Sequence, residues 1–393
     1  MGISCKHTGA LLVMAVSATA ASADPLTFDV SGFGTAAATY ADTTHGEFVR
    51  DKQPTGADKN FSFNVDSLAG VQSTAHFTQE LSASVQLMLR RTTTEDFSLD
   101  VPVAFVKDQL TQDVAVRAGR LPLPLFMISD YREVGFANTF LRPPQEVYGA
   151  APLYTLQGID ALYTHSFGGI DVNAQLFYGT GDLTLPDNVS LTFKRALGGN
   201  LSLTYGPLTL RYGRFINRLT INSPADQVID AVAAAGFTDL AQELSTKNRA
   251  TSFTGFGASL DWHNLLVQAE TTDAVANGFQ GSTRGQYGLL GYRIRKFTPY
   301  VMYSARKILT PTRDSTIPAA GALAPLAAGV NAILAKYDQH SLSAGIRWDF
   351  RDSMDVKLQV DHVSFQGPGM FANVQPGFSS PVNVAGLAVD FVF

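Results

Sequence analysis

None of the residue types that carry out covalent catalysis stands at a working spacing in this chain. There is no G-x-S-x-G elbow, no H-E-x-x-H pair, no Walker A loop and no dinucleotide glycine fingerprint. His45, His76, His165, His263, His340 and His362 are scattered, without the close pairing a metal needs. A hydrolase built on an outward-facing Ser–His pair would need His165 or His340, and neither has an obvious serine partner. No metal or cofactor is expected. The chain offers instead charge carried near an apolar-rich connection. Residues 121–155, LPLPLFMISDYREVGFANTFLRPPQEVYGAAPLYT, follow a strand pattern ending Val116-Arg117-Ala118-Gly119-Arg120. They are too long and irregular for a hairpin turn, and too rich in aromatic and aliphatic residues to be disordered. Charges of opposite sign held across a narrow passage act on solutes through their field, orienting dipoles and disfavouring apolar molecules.

The elements that would position such charges are strands. In 340–350, His340, Leu342, Ala344, Ile346, Trp348 and Phe350 share one face, against Ser341, Ser343, Gly345, Arg347 and Asp349. Segment 81–90 sets Leu81, Ala83, Val85, Leu87 and Leu89 against Ser82, Ser84, Gln86, Met88 and Arg90. The same alternation places Arg117 and Arg211 on the polar faces of their strands. About sixteen such strands are predicted, near 27–40, 61–73, 79–92, 100–110, 112–121, 156–166, 170–180, 198–206, 208–221, 250–262, 264–275, 283–296, 297–310, 338–350, 353–365 and 382–393. Very short connections (Gly168-Gly169, Gly206-Pro207, His263-Asn264) alternate with long ones at 41–60, 181–197, 222–249, 311–337 and 366–381. Together these features predict an all-β fold, a transmembrane antiparallel β-barrel of about 16 strands. In such a barrel, 121–155 would be an inward-folded constriction loop. Helical spacing of apolar residues within 224–245, and an Ala-rich run at 315–335, predict that the outer loops 222–249 and 311–337 are partly helical.

Composition agrees. Charged residues are only 16% of the 393, below the usual quarter for soluble domains. The net charge of −5 argues against nucleic acid as a partner. Lys6 and His7, the apolar run Leu11–Val16 and Ala21-Ser22-Ala23 before Asp24 predict a signal peptide over 1–23, leaving 24–393 as one barrel domain. Cys5, the sole cysteine, would leave with it. Aromatics such as Tyr205, Trp262, Tyr292, Trp348 and Phe393 fall near strand ends, where interfacial girdles form.

Three features carry a family resemblance. The final segment alternates up to Phe393. Gly119-Arg120-Leu121-Pro122 opens the long connection, and Arg142-Pro143-Pro144-Gln145-Glu146-Val147-Tyr148 lies within it. Together with the architecture, these resemble the sixteen-stranded general porins of Gram-negative bacteria, most closely a porin-like proteobacterial group. The PEFGG-like motif of the best-known members is missing. The resemblance implies that Phe393 is an assembly signal read during insertion into the outer membrane. It implies a homotrimer embedded in outer-membrane lipid, passing small hydrophilic solutes and ions by diffusion. It also implies that loop acids, here Asp130, Glu133 and Glu146, face wall arginines, here Arg90, Arg117, Arg120 and Arg211, with Arg132 and Arg142 as substitute bases. Mixed lumen charge implies weak selectivity. Two rivals are an adhesin or receptor with a plugged lumen, engaging partners through 222–249 and 311–337, and a barrel enzyme.

Overall fold

Sixteen segments whose apolar and polar side chains alternate pair antiparallel in chain order, and the last pairs with the first. The structure, a computed structural model, describes residues 26–50, 53–149 and 153–393; the expected signal peptide lies outside them. The strands are β1 Thr27–Ala41, β2 Leu68–His76, β3 Leu81–Arg91, β4 Phe97–Gln109, β5 Val114–Pro122, β6 Thr155–Phe167, β7 Ile170–Leu185 and β8 Val189–Tyr205. The second half comprises β9 Leu208–Asn222, β10 Arg249–Trp262, β11 Leu265–Ala276, β12 Thr283–Tyr292, β13 Phe297–Ile308, β14 Gln339–Arg351, β15 Met354–Phe365 and β16 Val382–Val392. Closing the sheet removes the unpaired strand edges that an open sheet would expose.

The seam is fully in register, from Phe33 opposite Val392 to Ala41 opposite Val384. Phe393 extends it by one rung. Its N–H donates to the Gly32 carbonyl at 2.9 Å, and the Gly32 N–H donates back at 2.9 Å. The Phe393 ring lies over Gly32, where a Cβ would meet it within 2.9 Å.

Alternation sorts side chains between the two walls. Outward positions carry Val85, Leu87, Leu89, Leu176, Leu342, Leu358 and Leu387, all exposed. Near the short-turn end the outer wall carries a ring of Phe167, Tyr205, Trp262, Tyr292, Phe297, Trp348 and Phe393. Inward positions are polar on β14, β15 and β16, where Ser341, Ser343, Lys357, Gln359, Asp361 and Asp390 are buried. On β7 to β10 the inner wall is apolar instead, with Phe177, Phe193, Phe215 and Phe253 in one cluster with the 121–155 loop.

Two expected elements differ. The strand predicted over 61–73 starts only at Leu68, and 61–67 fold as a loop whose Asp66 turns inward, 2% exposed. Apolar residues at 61, 63 and 65 mimic a strand, but Asp66 is drawn to buried cations described below. The long connection expected at 181–197 is a hairpin. β7 and β8 run on to a turn at Pro186-Asp187-Asn188, whose last two residues have φ of 60° and 58°. Asp and Asn tolerate that left-handed geometry, which matches the twist of a hairpin. The 222–249 loop contains α2 Ala225–Ala234 and α3 Thr238–Leu244, and the 311–337 loop contains α4 Ala324–Leu334. Ile229, Val232, Leu240 and Leu244 pack with Ile317, Ala327 and Val330, so the two loops cover one another's apolar faces. Among the described residues, no helix is long and apolar enough to cross a membrane.

Candidate constriction site

The connection between β5 and β6 turns into the barrel and is fastened around most of the inner wall. Its stem begins at Gly119, which has φ of 138° and sits so close to β4 that a Cβ would meet the Ala104 carbonyl oxygen at 2.3 Å. No L side chain fits there without backbone movement. The descending arm, Leu123 to Ile128, packs on β9 to β11. Inward-facing Gly255 makes room for it, leaving the Leu125 carbonyl 3.0 Å from where a Cβ would stand. Gly285 of β12 does the same for the returning arm, the Glu146 carbonyl lying 2.5 Å from its virtual Cβ.

Polar anchors fix the loop between these beds. The Glu270 carboxylate of β11 accepts from the Met127 N–H at 2.9 Å and from the Tyr148 hydroxyl at 2.7 Å. Burial, with the negative charge of Glu270 beside it, pushes the Tyr148 hydroxyl well above the usual phenol range, so it remains a donor. Arg347 of β14 donates to the Phe136 and Asn138 carbonyls at 2.6 and 2.9 Å, and Lys357 of β15 donates to the Gly135 carbonyl at 2.6 Å. Two lumen cations thus bind loop backbone rather than solute.

A further buried anchor is Arg142, 3% exposed. Its guanidinium binds Asp66 at 2.8 Å and Asp361 of β15 at 2.7 Å. Thr39 adds a hydrogen bond to Asp66 at 2.6 Å. Burial alone would raise the Asp66 carboxyl. The charges of Arg142 and Arg50, with the hydrogen bonds from Arg142 and Thr39, outweigh burial and hold it below the ordinary carboxylate range.

Fastened on β1 and β9 to β16, the loop leaves only about 20 Å³ between residues 142–146 and β13 to β15, and its larger space toward β2 to β5. A cavity of about 270 Å³ lies there, with Gln72, Gln86, Arg90 and Arg117 on the wall and Asp130, Arg132 and Glu133 on the loop. A smaller cavity of about 30 Å³ continues toward the long-loop end, past Arg50, Arg90, Arg91, Arg132 and Glu133. The two share Arg90, Arg132, Glu133 and Tyr154, which mark the level where they meet.

Glu133 is the hub of that level. Its carboxylate stands 3.3 Å from Arg50, 3.6 Å from Arg90 and 3.7 Å from Arg132. Arg132 is itself held under aromatic rings, 4.1 Å from the Tyr154 centroid and 5.2 Å from that of Tyr148. Asp130 pairs with Arg211 of β9 at 2.8 Å. The structure therefore brings together Glu133 with Arg90, and Asp130 with Arg211. It does not bring the remaining three expected residues into facing pairs. Glu146 is 3% exposed and accepts from Ser304, Ser341 and Gln339, so it is an anchor on β13 and β14 away from the gap. Its position inside α1 Gln145–Tyr148, pressed onto the wall, is the reason. Arg117 lines the larger cavity but binds Asp160 of β6 at 3.0 and 2.6 Å, not a loop acid. Among the described residues Arg120 pairs only with Asp100 of β4, at 3.6 Å, and it lines neither cavity.

Arg50, Asp66, Asp100 and Asp160 belong to the charge network and escaped the sequence reading. The alternation along β6 sets Asp160 inward, a signal that was there to be used. Arg50 lies in an outer loop, where period two says nothing, and Asp66 fell within the strand expected over 61–73, which in fact starts at Leu68.

No protein-family model matches the chain, and no curated protein sequence matches it. Solved structures do. Salmonella typhi OmpF in complex with daunomycin aligns with a TM-score of 0.57 at 12% identity, over 93% of this chain and 97% of that one. An anion-selective porin from Comamonas acidovorans aligns at 0.55 and 12% identity, over 94% and 100%. A trimer form of Vibrio cholerae OmpT, an outer-membrane protein, aligns at 0.52 and 12% identity, over 94% and 100%. At such identities the likeness is one of fold, and the fold is unambiguous: this chain folds as a closed sixteen-strand antiparallel barrel with the architecture of outer-membrane porins.

Proposed function

We propose that the chain is a porin, a passive channel for small hydrophilic solutes and ions. Solutes pass between the 121–155 loop and the inner face of β2 to β5. The observation that carries this reading is the one-sided fastening of the loop: anchors on β1 and β9 to β16, and a charged cavity opposite. Five arginines line the two cavities, namely Arg50, Arg90, Arg91, Arg117 and Arg132, against the carboxylates of Asp130 and Glu133. Asp100 and Asp160 neutralise part of that charge from behind, so selectivity is weak and leans toward anions. Small outward residues along the seam, Ala36 and Ala38 on β1, Ala69 on β2 and Ala385 on β16, suit close contact with further copies in a homotrimer.

Purified protein in a planar lipid bilayer is expected to give stepwise, ohmic conductance and a small reversal potential of anion-selective sign in a salt gradient. The narrowness of the outer cavity, about 30 Å³, favours a second reading, a receptor-type barrel whose lumen stays shut. Folded protein that inserts without any conductance steps would support that reading and remove the channel.

A further inference from the structure

We propose that the passage selects small aromatic carboxylates, and that the cavity between the 121–155 loop and β2 to β5 is the subsite that holds them one at a time. The proposal deepens the channel reading and rests on solutes taking that route.

A lining of opposed charges alone suits small hydrated ions and rejects apolar groups. The lining here is of a different kind, because two apolar clusters border the cavity beside its charges. The first joins Phe33 of β1 and Met88 of β3 with Val134 of the loop. In the second, Phe105 of β4 packs against the cluster that contains Leu123 and Phe126 of the loop. Tyr131 of the loop, 37% exposed, adds a further ring. Rings and aliphatic carbons on a wet wall favour a solute that brings apolar surface of its own.

The cations share that mixed character. Arg117 lies over the Phe105 ring, its Cζ 4.9 Å from the centroid. The Cζ of Arg132 lies 6.0 Å from the Phe126 centroid and 4.1 Å from that of Tyr154. A guanidinium braced on a ring is a flat, weakly hydrated plate. It can stack on a second ring while its edge takes a carboxylate. Asp160 occupies Nε and one Nη of Arg117. Among the described residues the other Nη has no partner, so part of that edge remains for a solute. The acids of the lining are already engaged, Asp130 by Arg211 and Glu133 by three arginines, which favours an anion over a cation.

Size and strength fit the same class. An apolar cavity of about 150 Å³ suffices for benzene. The cavity here, about 270 Å³, has room for one ring and a carboxylate. Asp100 and Asp160 offset part of the positive charge, so the grip is loose, as conduction through a binding site requires.

The test uses the full-length barrel in a planar bilayer in dilute potassium chloride, at neutral pH. The probes are benzoate, cyclohexanecarboxylate, acetate and benzyl alcohol, each added as a blocker of the open-channel current. Benzoate is expected to block saturably, at a half-blocking concentration about fivefold below that of cyclohexanecarboxylate, the margin of one cation–ring contact. Acetate and benzyl alcohol, each lacking one half of what is recognised, should block only at much higher concentration. Phe105→Leu keeps apolar volume without a ring, and Arg117→Lys keeps the charge without the flat plate. In both, the margin between benzoate and cyclohexanecarboxylate should fall toward one. A change in pore width alone would move both acids together and leave their ratio as in the parent. Equal block by the two acids in the parent, or an unchanged ratio in both variants, would overturn the proposal. If neither variant folds, the ranking of the four probes in the parent decides alone. Insertion without any conductance steps would remove the channel reading and this proposal with it, whereas steps indifferent to benzoate would remove only this proposal.

Discussion

Neutralising Glu133 is expected to move the reversal potential sharply toward anions. Its carboxylate is the shared partner of Arg50, Arg90 and Arg132 at the level where the two cavities meet. In Glu133→Gln the side chain keeps its size, while three guanidiniums lose the charge between them. A unit charge acts with about 1 kcal/mol at 4 Å in the water-filled limit, which corresponds to about a fivefold change in the anion-to-cation permeability ratio. Adding Asp130→Asn removes the partner of Arg211 and should extend the shift in the same direction. The effect should be largest at low salt, because about 1 M salt shortens the screening length to about 3 Å. Reversal potentials measured in potassium chloride gradients at two ionic strengths check this. An unchanged value for Glu133→Gln would take that residue out of the passage. The same substitution at Glu146 is expected to leave selectivity nearly unchanged, because its carboxylate is spent on Ser304, Ser341 and Gln339 against the wall.

Removing Arg142 is expected to release the loop. Arg142→Met keeps the unbranched stem of the side chain but removes the guanidinium and strands Asp66 and Asp361, both nearly fully buried. Breaking a buried ion pair from one side costs about 3–5 kcal/mol, because the remaining charge is left without compensation. The outer loop carrying Asp66 and the constriction loop would then be joined by charge only through Arg50 and Glu133, and should loosen. Two signals should follow: a lower temperature for the loss of heat-resistant gel migration, and a larger, noisier single-channel current. Acid should act in the same direction. Asp66 has a depressed folded pKa, so its contribution is complete above the unfolded value and fades as pH falls through the lower, folded one. Channel noise in the parent should therefore rise only in strongly acidic buffer. If Arg142→Met leaves both melting and current unchanged, the loop is held elsewhere.

Much of the barrel was legible because period two is written directly into the chain. His340 to Phe350 and Leu81 to Arg90 declare their two faces, and turns such as Gly206-Pro207 mark the short ends. Alternation failed where local chemistry imitated it or continued it. Phe61, Phe63 and Val65 read as a strand, yet Asp66 follows and is pulled inside. Residues 181–197 looked like a loop because Gly179, Gly181 and the Lys194-Arg195 bulge break the rhythm, while the strands persist through them. At the constriction, individual side chains could be given a face but not a partner. Glu133 and Glu146 are both acids on one loop, and only three-dimensional packing assigns one to the gap and the other to the wall. The glycines at 255 and 285, which let the loop lie against the barrel, resemble any strand glycine in the sequence.

The passage itself can be tested with one residue. Gln86 faces the larger cavity from β3, whereas its neighbour Leu87 points outward. The chain's only cysteine is Cys5, within the expected signal peptide. In a bilayer, a charged thiol reagent should reduce the single-channel current of Gln86→Cys in discrete steps and leave Leu87→Cys unaffected. A current through folded Gln86→Cys that is indifferent to the reagent, while the thiol is shown to be modified, would contradict a route between the loop and β2 to β5.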